Sequence, residues 1–256
     1  MKAIVLAAGY ATRLYPLTET IAKPLLPVGG RPMLDHLLDR IREVGEIDAV
    51  HVVTNAKFAA AFAAWGVAQP DVVVHDDGTT TEDDRLGAIG DVAFVIDTAG
   101  LDGEELLVVA GDNLFDFSLA DYVSWWRTKG EASAVALYDV GDPELAKRYG
   151  VVALGADERI ESFEEKPAEP RSTLAATATY LYHRAHVPLV RRYLDEGSSP
   201  DQPGRFIAWL AGREPVYGYR FAGDWRDIGD EAQLLEADNR LRELSGLPAR
   251  DAYALD

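Results

Sequence analysis

A glycine-containing loop near the start of the chain has residue types that can hold phosphates. Gly9 lies in "AGYATR", directly after a short apolar run, and Arg13 and Lys23 follow it. Glycine permits a tight turn, and small neighbours let backbone N–H groups face an anion. Arginine and lysine add cationic donors. This pattern suits a phosphate cradle, although the spacing alone slightly favours a tight strand exit with two solvated cations.

Two aspartates have the chemistry of ligands for a divalent cation. Asp112 follows an apolar run in "VVAGDNLFDFS", and Asp227 precedes a helical pattern in "GDWRDIGDEAQ". A carboxylate at the carboxyl end of a strand can hold such a cation together with substrate phosphates. A turn is the commoner use of "GDN", and an N-terminal helix cap is the default interpretation of Asp227. Both interpretations stay open at this point.

The stretch "ESFEEKPAEPRS" places opposite charges next to each other. The residue before a proline avoids the helical region, so Glu165 and Lys166 are predicted on alternate faces of an extended segment. One face could meet a sugar hydroxyl and the other a phosphate. An exposed, charged strand end explains the same residues equally well.

Strands and helices alternate in the first half of the chain and would position these residues. Apolar runs of strand length cover 2–7, 49–54, 71–75 and 105–110, and helical spacing covers 33–44, 57–65 and 87–98. This alternation predicts βαβ units and a mostly parallel sheet, which binds ligands at the carboxyl ends of its strands. After Ser118 the pattern becomes more mixed and partly antiparallel.

Composition excludes several classes of protein. The 256 residues include 25 basic and 43 acidic residues, so the net charge of −18 repels nucleic acid. No apolar run approaches the roughly 20 residues of a membrane helix, and the first residues lack the features of a secretion signal. The chain has no cysteine, hence no disulfide and no thiol nucleophile. We expect a soluble, cytoplasmic protein that binds neither nucleic acid nor membrane.

Taken together, the stretches resemble the sugar-1-phosphate nucleotidyltransferases of the glucose-1-phosphate thymidylyltransferase type. The resemblance covers nearly the whole chain in the family's order, through "LAAGYATRL", "KPLLPVGGRPML", "AGDNLF", "RYGVV", "EEKPAEPRSTLAATATYLY" and "DWRDIG". It implies a Rossmann-like nucleotide-diphospho-sugar transferase fold: an α/β protein with a mostly parallel mixed sheet flanked by helices and an inserted sugar-binding region. It also implies a single catalytic domain over 1–256, with a nucleotide-binding part at about 1–118, a sugar-binding and closing part at about 119–256, and no C-terminal β-helix.

The resemblance further implies a reaction in which an NTP and a sugar 1-phosphate give an NDP-sugar and pyrophosphate, by metal-assisted in-line attack on the α-phosphorus. It assigns catalytic roles to Arg13, Lys23, Asp112 and Lys166. It assigns nucleotide binding to Leu6, Ala8, Gly9, Tyr10, Ala11, Thr12, Arg13, Glu82, Gly87 and Asp112. It assigns sugar-phosphate binding to Asn113, Tyr149, Gly150, Glu165, Lys166, Ala176 and Trp225, and Mg²⁺ or another divalent cation to Asp112 and Asp227.

Two positions depart from the family pattern. Ala11 stands where relatives usually have a second glycine. If this position has a positive φ, alanine there costs about 1 kcal/mol or more in backbone strain. Glu82 stands near the place of a base-reading glutamine, and an ionised glutamate only accepts hydrogen bonds. That favours guanine, hence GTP, although UTP or dTTP stay open. Asp83 or Asp84 could take the place of Glu82, and a solvated acidic loop explains the run at least as well.

Other functions are weighed against this one. A non-catalytic sugar-nucleotide sensor would not need aligned metal carboxylates, and a glycosyltransferase would commonly show an Asp-x-Asp motif, which "DNLFDF" lacks. The acceptor phosphate could instead sit on a cyclitol, heptose, aminosugar or choline. A homo-oligomer is possible. No activated serine or histidine is required, because a phosphate ester with a second pKa of about 6 is already an anionic nucleophile.

Overall fold

The computed structural model describes residues 1–255, which form one central sheet and several shorter elements. The strands are β1 (Lys2–Leu6), β2 (Pro27–Val28), β3 (Arg31–Pro32), β4 (Ala49–Thr54), β5 (Val72–Asp76), β6 (Leu106–Ala110), β7 (Asn113–Phe115), β8 (Ser133–Asp139), β9 (Gly150–Leu154), β10 (Ile160–Glu165), β11 (Leu174–Tyr182), β12 (Val216–Phe221) and β13 (Trp225–Asp227). The helices are α1 (Leu17–Thr20), α2 (Met33–Arg42), α3 (Ala59–Gly66), α4 (Ala88–Ala99), α5 (Leu119–Arg127), α6 (Pro143–Ala146), α7 (Pro188–Asp195), α8 (Pro203–Ala211) and α9 (Glu231–Leu244).

Nine strands form the central sheet, in the order β10-β9-β11-β6-β1-β4-β5, with β8 paired to both β11 and β12. The four strands β6, β1, β4 and β5 are all parallel, as is the β8–β12 pair. Antiparallel pairing joins β11 to β6, β8 and β9. The predicted mostly parallel mixed sheet is therefore confirmed, and it joins strands from both of the expected parts of the chain.

Both faces of the sheet are buried, which explains the continuous apolar runs of its first strands. Side chains alternate between faces along a strand, so Val5 enters one core cluster and its neighbour Ile4 enters the other. Helices α2, α3 and α5 cover the face of Val5, while α4, α7 and α8 cover the face of Ile4. A third, smaller cluster lies between α9 and the short elements β2 and β7.

Several predicted boundaries shift by a few residues. The helix predicted over 57–65 occupies Ala59–Gly66, because the Asn55 side chain accepts a hydrogen bond from the Phe58 N–H at 3.2 Å and holds a turn there. The strand predicted over 71–75 occupies Val72–Asp76. The predicted catalytic domain extends to residue 256, which lies outside the described residues. None of the helices within residues 1–255 combines the length and the apolar character that crossing a bilayer requires.

Candidate active site

The loops that follow β1 and β6 meet at the carboxyl edge of the sheet. Leu6 pairs with Ala110 at the ends of these strands, and the Gly111 N–H donates to the Leu6 carbonyl at 2.8 Å. The chain adds β4 and β5 on one side of β1 and then β6 on the other. Such a reversal of strand order opens a crevice at the strand ends, where open α/β sheets bind ligands. The glycine loop and Asp112 therefore lie side by side.

A cleft of about 350 Å³ lies at this edge. The cleft is lined by parts of the glycine loop, by the lysine and acidic residues singled out above, and by the two residues that follow Asp227. The full set is Leu6, Ala7, Gly9, Ala11, Thr12, Arg13, Leu14, Lys23, Pro24, Glu82, Asp112, Asp227, Ile228 and Gly229. Residues from five separate stretches of the chain thus face one space.

Neighbouring side chains hold the backbone of the glycine loop in place. The Asn55 amide donates to the Ala8 carbonyl at 2.7 Å, and the buried Thr18 hydroxyl donates to the Ala11 carbonyl at 2.7 Å. In front of Gly9 there is open space, since a Cβ built there would meet nothing within 4 Å. Arg13 follows on an exposed turn and has no ion-pair partner among residues 1–255. Its guanidinium is therefore free to meet an anion.

Ala11 has the left-handed conformation, with φ 48° and ψ 44°, so the loop carries backbone strain at this residue. Replacing Ala11 by glycine is expected to raise the free energy of unfolding by about 1 kcal/mol, because glycine adopts this conformation without a Cβ clash. Urea denaturation measures the change. Ala63→Gly on the exposed face of α3 is the control and should cost roughly 1 kcal/mol. A loss of stability in both variants would contradict the strain at Ala11.

The charged groups of the cleft act on one another. Lys23 Nζ lies 2.5 Å from Asp112 Oδ2 in a partly buried ion pair. Asp227 pairs with Asn113 across β13 and β7, directly beside Asp112. Asp227 is exposed at the mouth of the cleft, yet desolvation by the surrounding protein raises its pKa, and the Asp112 charge raises that pKa further. Lys23, Lys166 and Arg13 oppose that increase in the pKa.

Two adjacent carboxylates fit part of the ligand set of a divalent cation. No group of three or more His, Cys, Asp or Glu side chains within residues 1–255 is arranged to hold a metal ion. A cation here would therefore take its remaining ligands from phosphates and water, as Mg²⁺ usually does beside nucleotides. Asp227 is not the helix cap that its position suggested, because Asp230 caps α9 by accepting from the Gln233 N–H at 2.9 Å.

A wall of aromatic and amide groups continues from the cleft. Asn113 is buried, donates through its amide to the Thr177 carbonyl, and accepts from Trp225 Nε1 at 3.3 Å. The Trp225 ring meets the Tyr149 ring edge-on, with centroids 5.1 Å apart. Burial raises the pKa of Tyr149, and the nearby Asp227 charge raises it further. These side chains form one surface beside the two aspartates.

Glu165 and Lys166 lie at a sharp corner next to this wall. Lys166 has φ 47°, and its N–H donates to the Tyr149 carbonyl at 3.0 Å. Burial raises the pKa of the half-buried Glu165 carboxyl. Gly150 packs so closely that a Cβ there would come within 2.6 Å of Phe163 Cζ and 3.1 Å of Glu165 Oε2. The corner therefore holds Glu165 and Lys166 beside Tyr149 and Asp227.

Some of the predicted site residues do not line the cleft. Gly87 is buried at the start of α4 against 200–201, and Ala176 lies half-buried on β11, paired with Leu137. Tyr10 turns inward, and its hydroxyl lies 3.3 Å from the Thr79 hydroxyl. Ala8 is buried and contributes the carbonyl that Asn55 binds.

The acidic loop after β5 has one carboxylate at the cleft. Glu82 is exposed, lines the cleft, and lies 3.6 Å from Arg85 Nη1. Asp84 accepts from the N–H groups of Thr81 and Thr80, which hold its pKa at about 2. Because Asp84 is occupied in shaping the loop, Glu82 is better placed to contact a ligand.

Sequence reasoning missed the residues that hold the loops. Asn55 directly follows a predicted strand, so its position at a carboxyl end was an available signal. Thr18 carries no comparable signal, because nothing local marks a single threonine in a polar segment as buried. Asp91, buried in the first turn of α4, was also missed.

The chain is similar in sequence to two curated proteins. A glucose-1-phosphate adenylyltransferase of Clostridium acetobutylicum is 28% identical, over 92% of this chain and 66% of that protein. A bifunctional protein GlmU of Methanocaldococcus jannaschii is 27% identical, over 94% of this chain and 54% of that protein. The chain thus spans less than two thirds of the length of these relatives.

A solved structure shares the fold. It is a Bacillus anthracis protein described as a glucose-1-phosphate thymidylyltransferase in complex with sucrose, 26% identical, with a TM-score of 0.77 over 95% of this chain and 96% of that chain. This likeness confirms the predicted Rossmann-like nucleotidyltransferase fold. The model of the nucleotidyl transferase family matches residues 2–243. The chain therefore belongs to the nucleotidyl transferase family, which confirms the resemblance to sugar-1-phosphate nucleotidyltransferases that its motifs carry.

Proposed function

We propose that this protein transfers the nucleotidyl group of an NTP to a sugar 1-phosphate and releases pyrophosphate. One observation carries the proposal: Arg13, Lys23, Asp112 and Asp227 line a single cleft at the carboxyl ends of β1 and β6. Cations and paired carboxylates together suit a substrate that brings several phosphates and a divalent cation. The match of the nucleotidyl transferase family to residues 2–243 supports the same reaction class.

The glycine loop and the two cations are proposed to hold the triphosphate. Because the space in front of Gly9 is open, N–H groups of 9–12 are proposed to donate to a phosphate bound there, and the free guanidinium of Arg13 to stabilise the charge that develops as pyrophosphate leaves. Lys23 pairs with Asp112 in this structure, and an incoming phosphate would compete for the same ammonium group. Placed cations allow a phosphate to bind despite the net charge of −18.

The acceptor phosphate supplies the nucleophile. One of its oxygens attacks the α-phosphorus in line, forming a new P–O bond. The bond from the α-phosphorus to the bridging oxygen breaks, and pyrophosphate leaves with that electron pair. With a second pKa of about 6, the acceptor phosphate is ionised at neutral pH, so no protein base is needed. Catalysis then rests on positioning and on charge neutralisation.

Asp112 and Asp227 are proposed to hold Mg²⁺ or another divalent cation. Their carboxylates are adjacent, and the charge of Asp112 raises the pKa of Asp227, as expected where two acids face one space. When bound, the ion neutralises phosphate charge between the nucleotide and the acceptor. Lys166 is proposed to bind the acceptor phosphate. Its positive charge acts on the Asp227 carboxyl, so it lies close to the proposed cation site.

The aromatic wall beside the aspartates is proposed to bind the sugar. Asn113, Tyr149 and Trp225 form it, and Gly150, Glu165 and Ala176 lie on the adjoining strands. The proposal keeps the expected division into nucleotide binding at about 1–118 and sugar binding at about 119–256, with Asn113 of the first part contributing to the sugar wall. A cyclitol, heptose, aminosugar or choline phosphate would be alternative acceptors. Cytoplasmic location and homo-oligomerisation stay predictions from the sequence.

Pyrophosphate release tests the proposal. The protein is incubated with Mg²⁺ and glucose 1-phosphate, separately with UTP, dTTP, GTP, CTP and ATP. Release with one nucleotide supports the transferase and identifies the base. If no nucleotide gives release, the assay is repeated with the alternative acceptor phosphates. No release with any of them, together with tight binding of a nucleotide or NDP-sugar, would instead support a non-catalytic sensor.

Glu82 is proposed to select the base, because among the acidic residues 82–84 of the loop after β5 it is the one that lines the cleft. Its carboxylate accepts from two N–H groups on the Watson–Crick edge of guanine. GTP should therefore be preferred, and Glu82→Gln should reduce the GTP-to-dTTP ratio of kcat/KM by about 10-fold, or ~1.4 kcal/mol. The exposed neighbour Asp83→Asn is the control. A wild-type preference for UTP or dTTP would refute this role of Glu82.

A further inference from the structure

Two carboxyl groups lie against each other beneath the nucleotide loops. Asp77 follows β5, and Asp91 is in the first turn of α4 with only 6% of its surface exposed. Asp77 Oδ2 and Asp91 Oδ1 are both buried and lack any hydrogen-bond donor among the described residues. A buried carboxylate oxygen without a donor is costly. A single proton placed between the two groups satisfies both oxygens at once.

The surroundings of the pair favour that shared proton. Burial, followed by the charge of Asp77 and a hydrogen bond to it, raises the pKa of Asp91 to about 8. Asp77 is the ionisable group that acts on Asp91, and Asp76 acts on Asp77 in turn. Cations on the helices packed against α4 are engaged elsewhere: Arg191 of α7 pairs with Asp97, and Arg205 of α8 donates to Gln202. Asp91 therefore carries the proton at neutral pH.

A continuous chain of hydrogen bonds runs from this pair to the glycine loop. Asp77 Oδ1 accepts from both the N–H and the hydroxyl of Thr79, each at 2.7 Å. Because the Thr79 hydroxyl proton goes to Asp77, the Tyr10 hydroxyl must donate to Thr79 Oγ1, at 3.3 Å. Tyr10 lies between Gly9 and Ala11 of the cleft. The carboxyl pair thus connects the loop after β1 to the loop after β5.

We propose that Asp91 is a positioning residue whose proton holds Asp77, and through Thr79 and Tyr10 fixes the two loops that form the nucleotide cleft. This inference rests on the proposed function, since it assigns the cleft to a nucleotide. Removing the proton would place two negative charges together in a buried site. The loops would then separate, and nucleotide binding would weaken at alkaline pH.

The kinetic test follows nucleotide KM and kcat between pH 6 and pH 9.5. In the wild-type protein, KM for the nucleotide should rise by about 10-fold above pH 8 while kcat changes less, as expected for a weakened binding contact. Asp91→Asn keeps a neutral donor beside Asp77, so its KM should stay flat over this range. Asp97→Asn, on the exposed face of the same helix, is the matched control and should follow the wild-type profile. Equal KM profiles for wild type and Asp91→Asn would overturn the proposal.

Thermal unfolding tests the same pair of carboxyl groups without an activity assay. An aspartate whose pKa is raised on folding stabilises the protein at low pH and loses that contribution as pH rises toward the folded-state pKa, here about 8. The Tm of Asp91→Asn relative to wild type should therefore increase between about pH 4 and pH 8 and then level off. Asp77→Asn should change the pH dependence in the same direction, because the remaining carboxylate can ionise and accept from the amide.

The unfolding outcomes separate this inference from the proposed function. A Tm difference that is constant with pH indicates a merely structural role and would overturn the shared proton. A wild-type Tm that responds to added Na⁺ or K⁺ rather than to pH would also overturn it, by assigning the orphaned oxygens to a cation. If no nucleotide is turned over but the pH-dependent Tm difference is present, the proposed function fails while the carboxyl pair stands.

Discussion

Asp112→Asn is expected to lower the rate of pyrophosphate release by about 10³-fold, with little change in the amount of folded protein. The carboxylate has two functions in the proposed reaction. It pairs with Lys23 at 2.5 Å, and with Asp227 it is one of the two adjacent ligands available to a divalent cation. Asparagine keeps the size of the side chain but removes the negative charge, so the loss reports charge rather than packing. A pyrophosphate assay at saturating substrates measures it.

Asp102→Asn is the matched control for this loss of activity. Asp102 is an exposed aspartate in the turn before β6, the strand that leads to Asp112. This variant should keep the wild-type rate, which would show that the loss of one negative charge from the protein does not by itself lower the rate. Unfolding in urea verifies that both variants fold. An Asp112→Asn protein that retains more than a tenth of the activity would contradict the proposed role of Asp112.

Gly87→Ala is expected to lower the free energy of unfolding by about 3 kcal/mol or more. Gly87 precedes α4 with φ 80° and ψ 160°, a conformation that residues with a Cβ strongly avoid. A Cβ there would also come within 2.8 Å of the Pro200 carbonyl oxygen and 2.9 Å of Asp201 Cα, which are backbone atoms with little freedom to move. Denaturation in urea gives the free energy directly.

Gly100→Ala at the other end of the same helix separates the two causes. Gly100 has φ 65°, but a Cβ built there meets nothing within 4 Å. Its replacement should cost about 1 kcal/mol, which is the conformational strain alone. If the two variants lost the same free energy of unfolding, the close contact with Pro200 and Asp201 would contribute nothing to the cost of Gly87→Ala. Gly87 would then be required only for its backbone angles.

The sheet could be predicted from the sequence where local patterns decide the structure. Strands such as β1 and β6 are apolar on both faces, and the predicted runs 2–7 and 105–110 match their bounds, Lys2–Leu6 and Leu106–Ala110, within one residue at each end. Strands β7 and β13 could not be predicted, because each has three residues and forms only by pairing with the other across the chain. That pairing brings Asp227 next to Asp112, a proximity that no local pattern indicates.

The site could be predicted in the same limited way. Residue types and the order of motifs pointed to Arg13, Lys23 and Asp112, which the fold does bring to one cleft. The sequence analysis expected backbone strain at Ala11 if its φ is positive, and in the structure this φ is 48°. Gly87 was predicted to bind the nucleotide, yet its tight packing against the segment before α8 gives it a structural reason to be glycine. The Asp77–Asp91 pair needed the structure, because the two residues approach only when α4 packs beside β5.

The ring of Phe163 lies where a Cβ at Gly150 or at Gly204 would have to go. Two glycines from distant parts of the chain thus close on the same ring and on the same Glu165 oxygen. Neither glycine can be replaced by a larger residue unless the Phe163 ring moves. Once the ring has moved to make room at one of the two positions, the other position also has more space. Changes in the shape of the proposed acceptor pocket are therefore expected to arise in pairs, with the second substitution tolerated mainly after the first.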